Sequence, residues 1–300
     1  MCEKIATFVL YNQKNVIMKR MIFVLALAFA AVSLQAQLLW KVSGNNLKKD
    51  SYILGTVHVV PAYMMDAIPG MDVALNNCDI VVGEIDIKDN STGDSKWYEA
   101  PSDSTLDKLY SPQEYSFIKE TLNNLAGHEL DFSTLNGYTP YKIITEIIIK
   151  IIASNDYPDL ESTDLIDFGI QKRATEMGRQ TMGLETQKFQ DDLLSRTLPL
   201  AIQAEELLTM CKSMELEKLR NRAFQEIGAY ALQKFDYFES KAADDDEELG
   251  NKRNRDWIPK IESILPEKSC LVVVGILHLV GEQGVLQMLR ERGYTIEPMK

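Results

Sequence analysis

The chain has 300 residues, of which 45% are hydrophobic and 25% are charged, and an excess of acidic residues gives a net charge of −12. These proportions are typical of a globular protein and exclude a disordered chain, a collagen-like fibre and a coiled-coil rod. The acidic balance repels nucleic-acid phosphates, so the sequence predicts no nucleic-acid partner. The four cysteines lack the spacing of a disulfide scaffold or of a CxxC zinc site.

The N-terminal segment has the layout of an export signal. A short basic region at 18–20 precedes the uncharged apolar run 21–34, which ends on a small-residue cleavage pattern. The run is shorter than the roughly 20 residues that span a bilayer, which favours a cleaved signal peptide. An uncleaved N-terminal anchor is the alternative. We therefore predict an N-terminal extension and signal peptide over 1–36 (the signal itself at about 18–36) and a single domain over 37–300. The product is expected to be periplasmic or extracellular, without stable membrane insertion after cleavage.

Apolar runs that are typical of strands lie at both ends of the mature chain. In the N-terminal part they cover 38–43, 51–57 and 79–84, with a helix predicted over 69–77. In the C-terminal part they cover 269–274 and 294–298, with a helix predicted over 282–292.

The middle of the chain is predicted to be mostly helical. Ser-Pro and Thr-Pro pairs, which place an N-cap before proline at the first helical position, precede two of these helices. The predicted helices are 113–126, 141–153, 164–177, the long stretch 189–240 with an interruption near Pro199, and 253–265, with a short strand at 181–184 and loops at 88–104 and 242–249. Neither strand group can bury a sheet alone. We therefore predict an α/β fold in which the N- and C-terminal strand groups form one central mixed sheet and the helical middle is a large insertion.

Two of the three histidines share one local frame. An apolar strand runs into Gly55-Thr56-Val57-His58 near the N-terminus and into Gly275-Ile276-Leu277-His278 near the C-terminus, and a helix is predicted after each motif. This repetition indicates a weak internal duplication. Because open α/β sheets bind ligands at their strand ends, we expect both imidazoles to reach one crevice. Two hydrogen-bonded core histidines are the alternative.

Glu84 is the predicted third member of this site, because it ends the apolar run 79–84. A carboxylate at that position needs a cleft, a cation or a hydrogen-bond donor. Two histidines and a carboxylate are a common ligand set for a catalytic divalent metal that keeps an open water position. We therefore predict that His58, His278 and Glu84 bind a divalent metal ion (Mn, Co or Zn), with Glu84 as ligand or general base. A salt-bridged Glu84 is the alternative.

Glu185 and Arg253 are predicted to support this centre. Glu185 follows the short strand 181–184 and is a candidate base or fourth ligand, with a helix N-cap as the alternative. Arg253 opens a predicted helix and is a candidate for oxyanion stabilisation, with a surface ion pair as the alternative. Asp167 lies among apolar neighbours on a helix and is given no role, and His128 lies in a polar loop where exposure is expected.

In these motifs the chain resembles the TraB/GumN family, which includes the PrgY pheromone-shutdown proteins and is related to the Tiki membrane metalloproteases. The matching elements are LWKV at 39–42, LGTVH at 54–58, VGEID at 82–86, Asp167 before Gly178-Arg179, GLET at 183–186, Arg253-Asn254 with Trp257, and VGILHLVGEQGV at 274–285. Together they cover nearly the whole mature chain. The resemblance implies a two-halved α/β core with both Gly-x-x-His motifs and the strand-end Glu84 at the active centre. In the Tiki branch that centre is linked to divalent-metal peptidase activity.

The expectation from the residues and the resemblance together is an exported metal-dependent hydrolase, peptidase-like, that acts on a peptide or small-molecule substrate. The alternative is a protein of the same fold that binds or sequesters a peptide or small apolar ligand without catalysis. Metal content of the purified mature protein separates the two.

Overall fold

A computed structural model describes residues 37–89, 98–148, 150–151, 165–197, 199–213, 215–241 and 247–299. The predicted N-terminal extension and signal peptide over 1–36 lie outside the described residues, as does most of the predicted acidic loop 242–249. Within the described ranges, no helix combines the length and the apolar character needed to cross a bilayer.

A six-stranded mixed sheet forms the centre of the fold. Its strands are β1 Leu39–Gly44, β2 Ser51–Thr56, β3 Ile80–Ile85, β4 Gln180–Glu185, β5 Cys270–Gly275 and β6 Tyr294–Pro298. They lie in the order β4-β3-β5-β2-β1-β6, so C-terminal β5 is inserted between N-terminal β3 and β2. The predicted single sheet built from both ends of the chain is confirmed, and β4 from the helical middle adds an edge strand.

Four neighbouring strands of the sheet run parallel. β5 pairs in parallel with both β2 and β3, and β3 pairs in parallel with β4, whereas β1 is antiparallel to β2 and β6. β2 is buried along its whole length and β5 up to its last residue, as expected for parallel strands covered on both faces. All four parallel strands therefore present their carboxyl ends at one edge of the sheet.

Helices cover the sheet and form the insertion. They are α1 Met71–Asn77, α2 Leu106–Leu109, α3 Pro112–Ala126, α4 Phe132–Leu135, α5 Pro140–Lys142, α6 Ile166–Glu176, α7 Gln187–Thr197, α8 Leu200–Lys212, α9 Glu215–Ala231, α10 Phe235–Glu239, α11 Lys252–Ile264 and α12 Val285–Glu291. Helix α3 begins at the predicted serine: Ser111 and Glu114 form a capping box that satisfies two helix-end donors.

The structure divides one segment that the sequence pattern treats as a continuous helix, and it has the interruption near Pro199 that the sequence predicts in another. The predicted helix 141–153 begins as α5 and continues as a π-helical turn at Ile143–Ile148. The predicted stretch 189–240 is interrupted near Pro199 and consists of α7 to α10. Apolar residues of the insertion pack into a core of their own, which includes Leu106, Ile118, Leu122, Phe132, Ile143, Ile148 and Leu207.

Asp79 ties the start of β3 to two other parts of the sheet. Its carboxylate accepts hydrogen bonds from Lys49 Nζ at 3.0 and 3.1 Å and from Ser269 N at 3.0 Å. The Lys49 ammonium and the Ser269 amide lower the pKa of Asp79. The ionised form is therefore the one that stabilises the fold.

Asp79→Asn should lower the free energy of unfolding by about 1 kcal/mol at neutral pH, because a partly exposed ion pair contributes little more than that. Since the folded-state pKa of Asp79 is lowered, the difference from wild type should shrink as the pH falls through that pKa. Urea unfolding at several pH values measures it. Lys49→Met should lower the free energy of unfolding by a similar amount. The double variant should be destabilised by no more than the more destabilised single variant. If the two destabilisations are instead fully additive, Lys49 and Asp79 do not interact.

Candidate functional site

The predicted site residues lie together at the carboxyl edge of the four parallel strands. His58 follows β2, Glu84 lies near the end of β3, and Glu185 is the last residue of β4. Gly275 ends β5 and leads into a short 3₁₀ turn that ends at His278. The parallel topology brings both Gly-x-x-His motifs to one edge although about 220 residues separate them.

Gly275 marks the point on which the two histidines and Glu84 converge. A Cβ placed on Gly275 would lie 3.3 Å from Glu84 Oε1, 3.5 Å from His278 Cδ2 and 3.8 Å from His58 Nε2. The Gly275 amide also donates to Glu84 Oε1 at 2.8 Å. The glycine therefore leaves a small space that a side chain would fill, with all three predicted ligands around it.

His278 is held as a neutral imidazole. Its Nδ1 lies 2.7 Å from Asn254 Oδ1, and the Asn254 amide nitrogen donates to the Gln283 carbonyl at 2.9 Å. This arrangement places the proton on His278 Nδ1 and leaves Nε2 as an acceptor. Burial, reinforced by the charge of Arg253, lowers the pKa of His278 to about 4 although Glu84 opposes the shift.

His58 is held at the same ring atom by a carboxylate. Its Nδ1 lies 2.9 Å from Asp167 Oδ2, and Asp167 also accepts a hydrogen bond from Thr56 Oγ1. Helix α6 brings Asp167 here because the Ile166 amide donates to the Val60 carbonyl just after the histidine. Asp167 raises the pKa of His58, whose side chain is 68% exposed. The two histidines therefore differ: His278 is buried and neutral, and His58 is exposed and more basic.

Arg253 is the cation at the centre of the site. Its Nη2 donates to Glu84 Oε2 at 2.7 Å and to Glu185 Oε2 at 2.9 Å, and its Nη1 lies 3.2 Å from His278 Nε2. The side chain is only 10% exposed. Its guanidinium also lies over the Trp257 ring, 4.8 Å from the centroid. The surface ion pair considered for Arg253 is thus replaced by a buried network.

The two carboxylates in this network have different surroundings. The Glu185 side chain is only 4% exposed. Its carboxylate accepts hydrogen bonds from Trp257 Nε1 at 2.8 Å and from Arg253 Nε at 3.0 Å. These carboxylate oxygens therefore hold the arginine and do not cap the following helix. Glu84 faces the histidines. Burial opposes its ionisation, but His278, Arg253, His58 and the Gly275 amide outweigh burial and lower the pKa of Glu84 to about 2.

Three further residues complete the site, and sequence reasoning gave none of them a role. Asn254 orients His278, Asp167 orients His58, and Gln190 Nε2 donates to both Glu84 Oε2 at 3.2 Å and Glu185 Oε2 at 3.1 Å. Arg253, Asn254 and Trp257 share one face of a helix by their spacing, which is the one local signal that groups Asn254 with the site. His128 lies elsewhere on the surface, as expected, with Nδ1 3.0 Å from the Glu129 carbonyl.

The donor set fits a divalent cation in its chemistry. Imidazole and carboxylate ligands suit Zn, Mn and Co, and ligating histidines commonly have the second ring nitrogen held by a carboxylate or amide oxygen. Both histidines show that outer contact, through Asp167 and Asn254. His278 Nε2 lies 3.9 Å from Glu84 Oε1. Arg253 opposes a cation here, because its guanidinium contacts Glu84 and His278. Among the residues that the structure describes, no group of three or more His, Cys, Asp or Glu side chains is arranged so that it could hold a metal ion, so a cation would require these side chains to shift.

The glycines of the two motifs are needed for different reasons. A Cβ on Gly55 would lie 2.8 and 3.0 Å from Ile276 atoms and 3.0 Å from Leu279 Cδ1, inside the packed core. Gly55→Ala should therefore lower the free energy of unfolding by about 1–3 kcal/mol. Gly275→Ala should change the free energy of unfolding by less than about 1 kcal/mol, because the added Cβ would lie 3.3 Å or more from its nearest neighbours. The same variant should impair metal or ligand binding, because the Cβ would fill the space between the three predicted ligands. Urea unfolding and binding titrations of both variants measure this contrast; equal destabilisation would contradict it.

The family relationship agrees with this geometry. A model of the TraB/PrgY/gumN family matches residues 38–298, which include every strand of the sheet and every residue of the site. No curated protein and no solved structure gives a significant match to the chain. Since the family model covers most of the sequence, the chain belongs to the TraB/PrgY/gumN family.

Proposed function

We propose that the protein is an exported, metal-dependent hydrolase that cleaves amide bonds in peptides. The observation that carries the proposal is the convergence of His58, His278 and Glu84 on the space beside Gly275, with each histidine held at Nδ1. A carboxylate and two oriented imidazoles at the carboxyl edge of a parallel sheet are placed where such folds bind substrates. Membership of the family supports the same reading.

In this proposal His58, His278 and Glu84 hold a divalent ion. Such an ion, when bound, supplies a nucleophilic water at neutral pH and polarises the carbonyl that is attacked. Contacts from Asp167 and Asn254 hold both histidines at Nδ1, and an ion on His278 Nε2 would replace Arg253 Nη1, which lies 3.2 Å from that atom. Glu84 contributes negative charge, because its contacts with Arg253 and the Gly275 amide favour the ionised form.

The other residues act on charge and protons. Arg253 is a cation whose Nη1 contacts His278 and whose Nη2 contacts Glu84, so its positive charge would stabilise negative charge that develops on a carbonyl oxygen beside them. Glu185 and Trp257 fix the orientation of Arg253. Asp167 accepts the His58 Nδ1 proton, which would leave His58 Nε2 unprotonated as a ligand.

Metal binding tests the proposal directly. Mature protein, 37–300, is stripped with a chelator, dialysed against Zn, Mn or Co, and analysed for metal content and peptide hydrolysis. We expect about one ion per chain in wild type and loss of both metal and hydrolysis in His58→Ala, since a site with three protein ligands loses one. His128→Ala is the matched control and should behave as wild type. If His58→Ala retains ion and activity, or if wild type binds no ion, the proposal is wrong.

Export is a separate part of the proposal. The apolar run at 21–34 and the basic residues before it support signal cleavage near Gln37. N-terminal sequencing of the protein from the extracytoplasmic fraction should find a mature end at about that residue. An intact N-terminus retained in the inner membrane would contradict it.

A further inference from the structure

A cleft of about 280 Å³ opens directly from the space beside Gly275. Both His58 and His278 line it. Its walls are mostly apolar and consist of Val57, Val59, Phe238, Ile276 and Leu277. Phe238 and Ile276 are buried, whereas Leu277 is 42% exposed.

Charged side chains also line the cleft. Arg222 and Glu226 of α9 line it and pair with each other at 2.8 Å, so their charges largely offset. Lys241 also lines the cleft, with its ammonium over the Tyr237 ring, 5.0 Å from the centroid. In the part of the chain that the structure describes, Lys241 forms no ion pair with a carboxylate. The cleft thus combines both histidines, an apolar wall and the Lys241 ammonium.

We propose that this cleft selects peptides that carry an apolar side chain next to the scissile bond and an anionic group one or two residues further on. The inference rests on the proposed function and names the substrate of the same site. With the scissile carbonyl beside Gly275, the adjoining side chain lies against Leu277 and Phe238, where burial of apolar area is favourable. An anionic group beyond it reaches Lys241, in keeping with electrostatic complementarity.

Paired substrates and variants test this specificity. Labelled hexapeptides differ only in Leu or Ser next to the cleavage point and in Asp or Asn two residues beyond. Leu277→Glu should lower kcat/KM for the Leu peptide by about 10-fold or more relative to the Ser peptide, because one side-chain contact in an apolar pocket has that size of effect. Lys241→Gln should remove the preference for Asp over Asn. Phe117→Glu, an equally exposed apolar residue on α3, is the matched control and should keep both preferences.

Binding of the same peptides to metal-free protein, measured by fluorescence anisotropy, separates this inference from the hydrolase proposal. If no peptide is cleaved but the Leu-Asp peptide still binds, and Leu277→Glu and Lys241→Gln each weaken that binding, the cleft inference holds and the hydrolase proposal fails. If wild type cleaves or binds all four peptides equally, the inference is overturned. Unchanged selectivity in Leu277→Glu or in Lys241→Gln overturns the apolar or the anionic half, respectively.

Discussion

Replacing Arg253 with methionine should lower the free energy of unfolding by about 3–5 kcal/mol in metal-free protein. The guanidinium contacts Glu84 at 2.7 Å and Glu185 at 2.9 Å, and those carboxylates are 15% and 4% exposed. Removing the cation leaves two largely buried negative charges close to each other without compensation. Methionine keeps much of the packing on Trp257, so the loss reports mainly on charge. Urea unfolding followed by circular dichroism measures it.

Two further variants show whether charge is the cause. Arg253→Met combined with Glu185→Gln should recover a substantial part of the loss, because only one buried carboxylate then remains unpaired. Arg222→Met is the control for losing an arginine: Arg222 is 58% exposed and pairs with Glu226 on the same helix, so its replacement should cost under about 1 kcal/mol. Similar losses in Arg253→Met and Arg222→Met would mean that the central network contributes little to stability.

The sheet could be predicted from sequence because its strands carry strong local signals. The apolar, β-branched run in β5 and the run in β3 are too short for buried helices and are bounded by turn residues, which is typical of parallel strands. The placement of Glu84 and the two histidines at one edge follows from that topology alone. The ends of the strands were harder to predict from the sequence. The apolar run that predicts β3 ends at Glu84, whereas β3 continues one residue further, to Ile85.

The contacts that orient the site could not be predicted, because they join residues that are distant in sequence and lack local patterns. Asp167 reaches His58 only through the packing of α6 against the segment after β2, which the Ile166 amide and Val60 carbonyl fix. Gln190 bridges two carboxylates from a helix whose sequence gives no sign of it. The π-helical turn at Ile143–Ile148 likewise arises in a run whose spacing reads as an ordinary helix.

Glu84→Gln should reduce peptide hydrolysis by roughly 10²–10⁴-fold while the protein stays folded. Glutamine keeps the volume and can still accept the Gly275 amide through its carbonyl oxygen, but it removes the negative charge that faces Arg253 and both histidines. The matched control is Glu262→Gln, which breaks a surface pair with Arg292 and should leave hydrolysis unchanged. Initial rates on one peptide, with folding checked by circular dichroism, provide the comparison.

Metal content of Glu84→Gln decides which role the carboxylate has. If Glu84 acts only as a general base, the variant should retain its ion while turnover falls. If Glu84 is a ligand, affinity for the ion should fall as well, by about 10- to 100-fold or more, as for other losses around a metal centre. The contacts of Glu84 with Arg253 and the Gly275 amide favour its ionised form, which suits an anionic ligand better than a base that must take up a proton. Full activity in Glu84→Gln would exclude both roles and leave the carboxylate as a structural partner of Arg253.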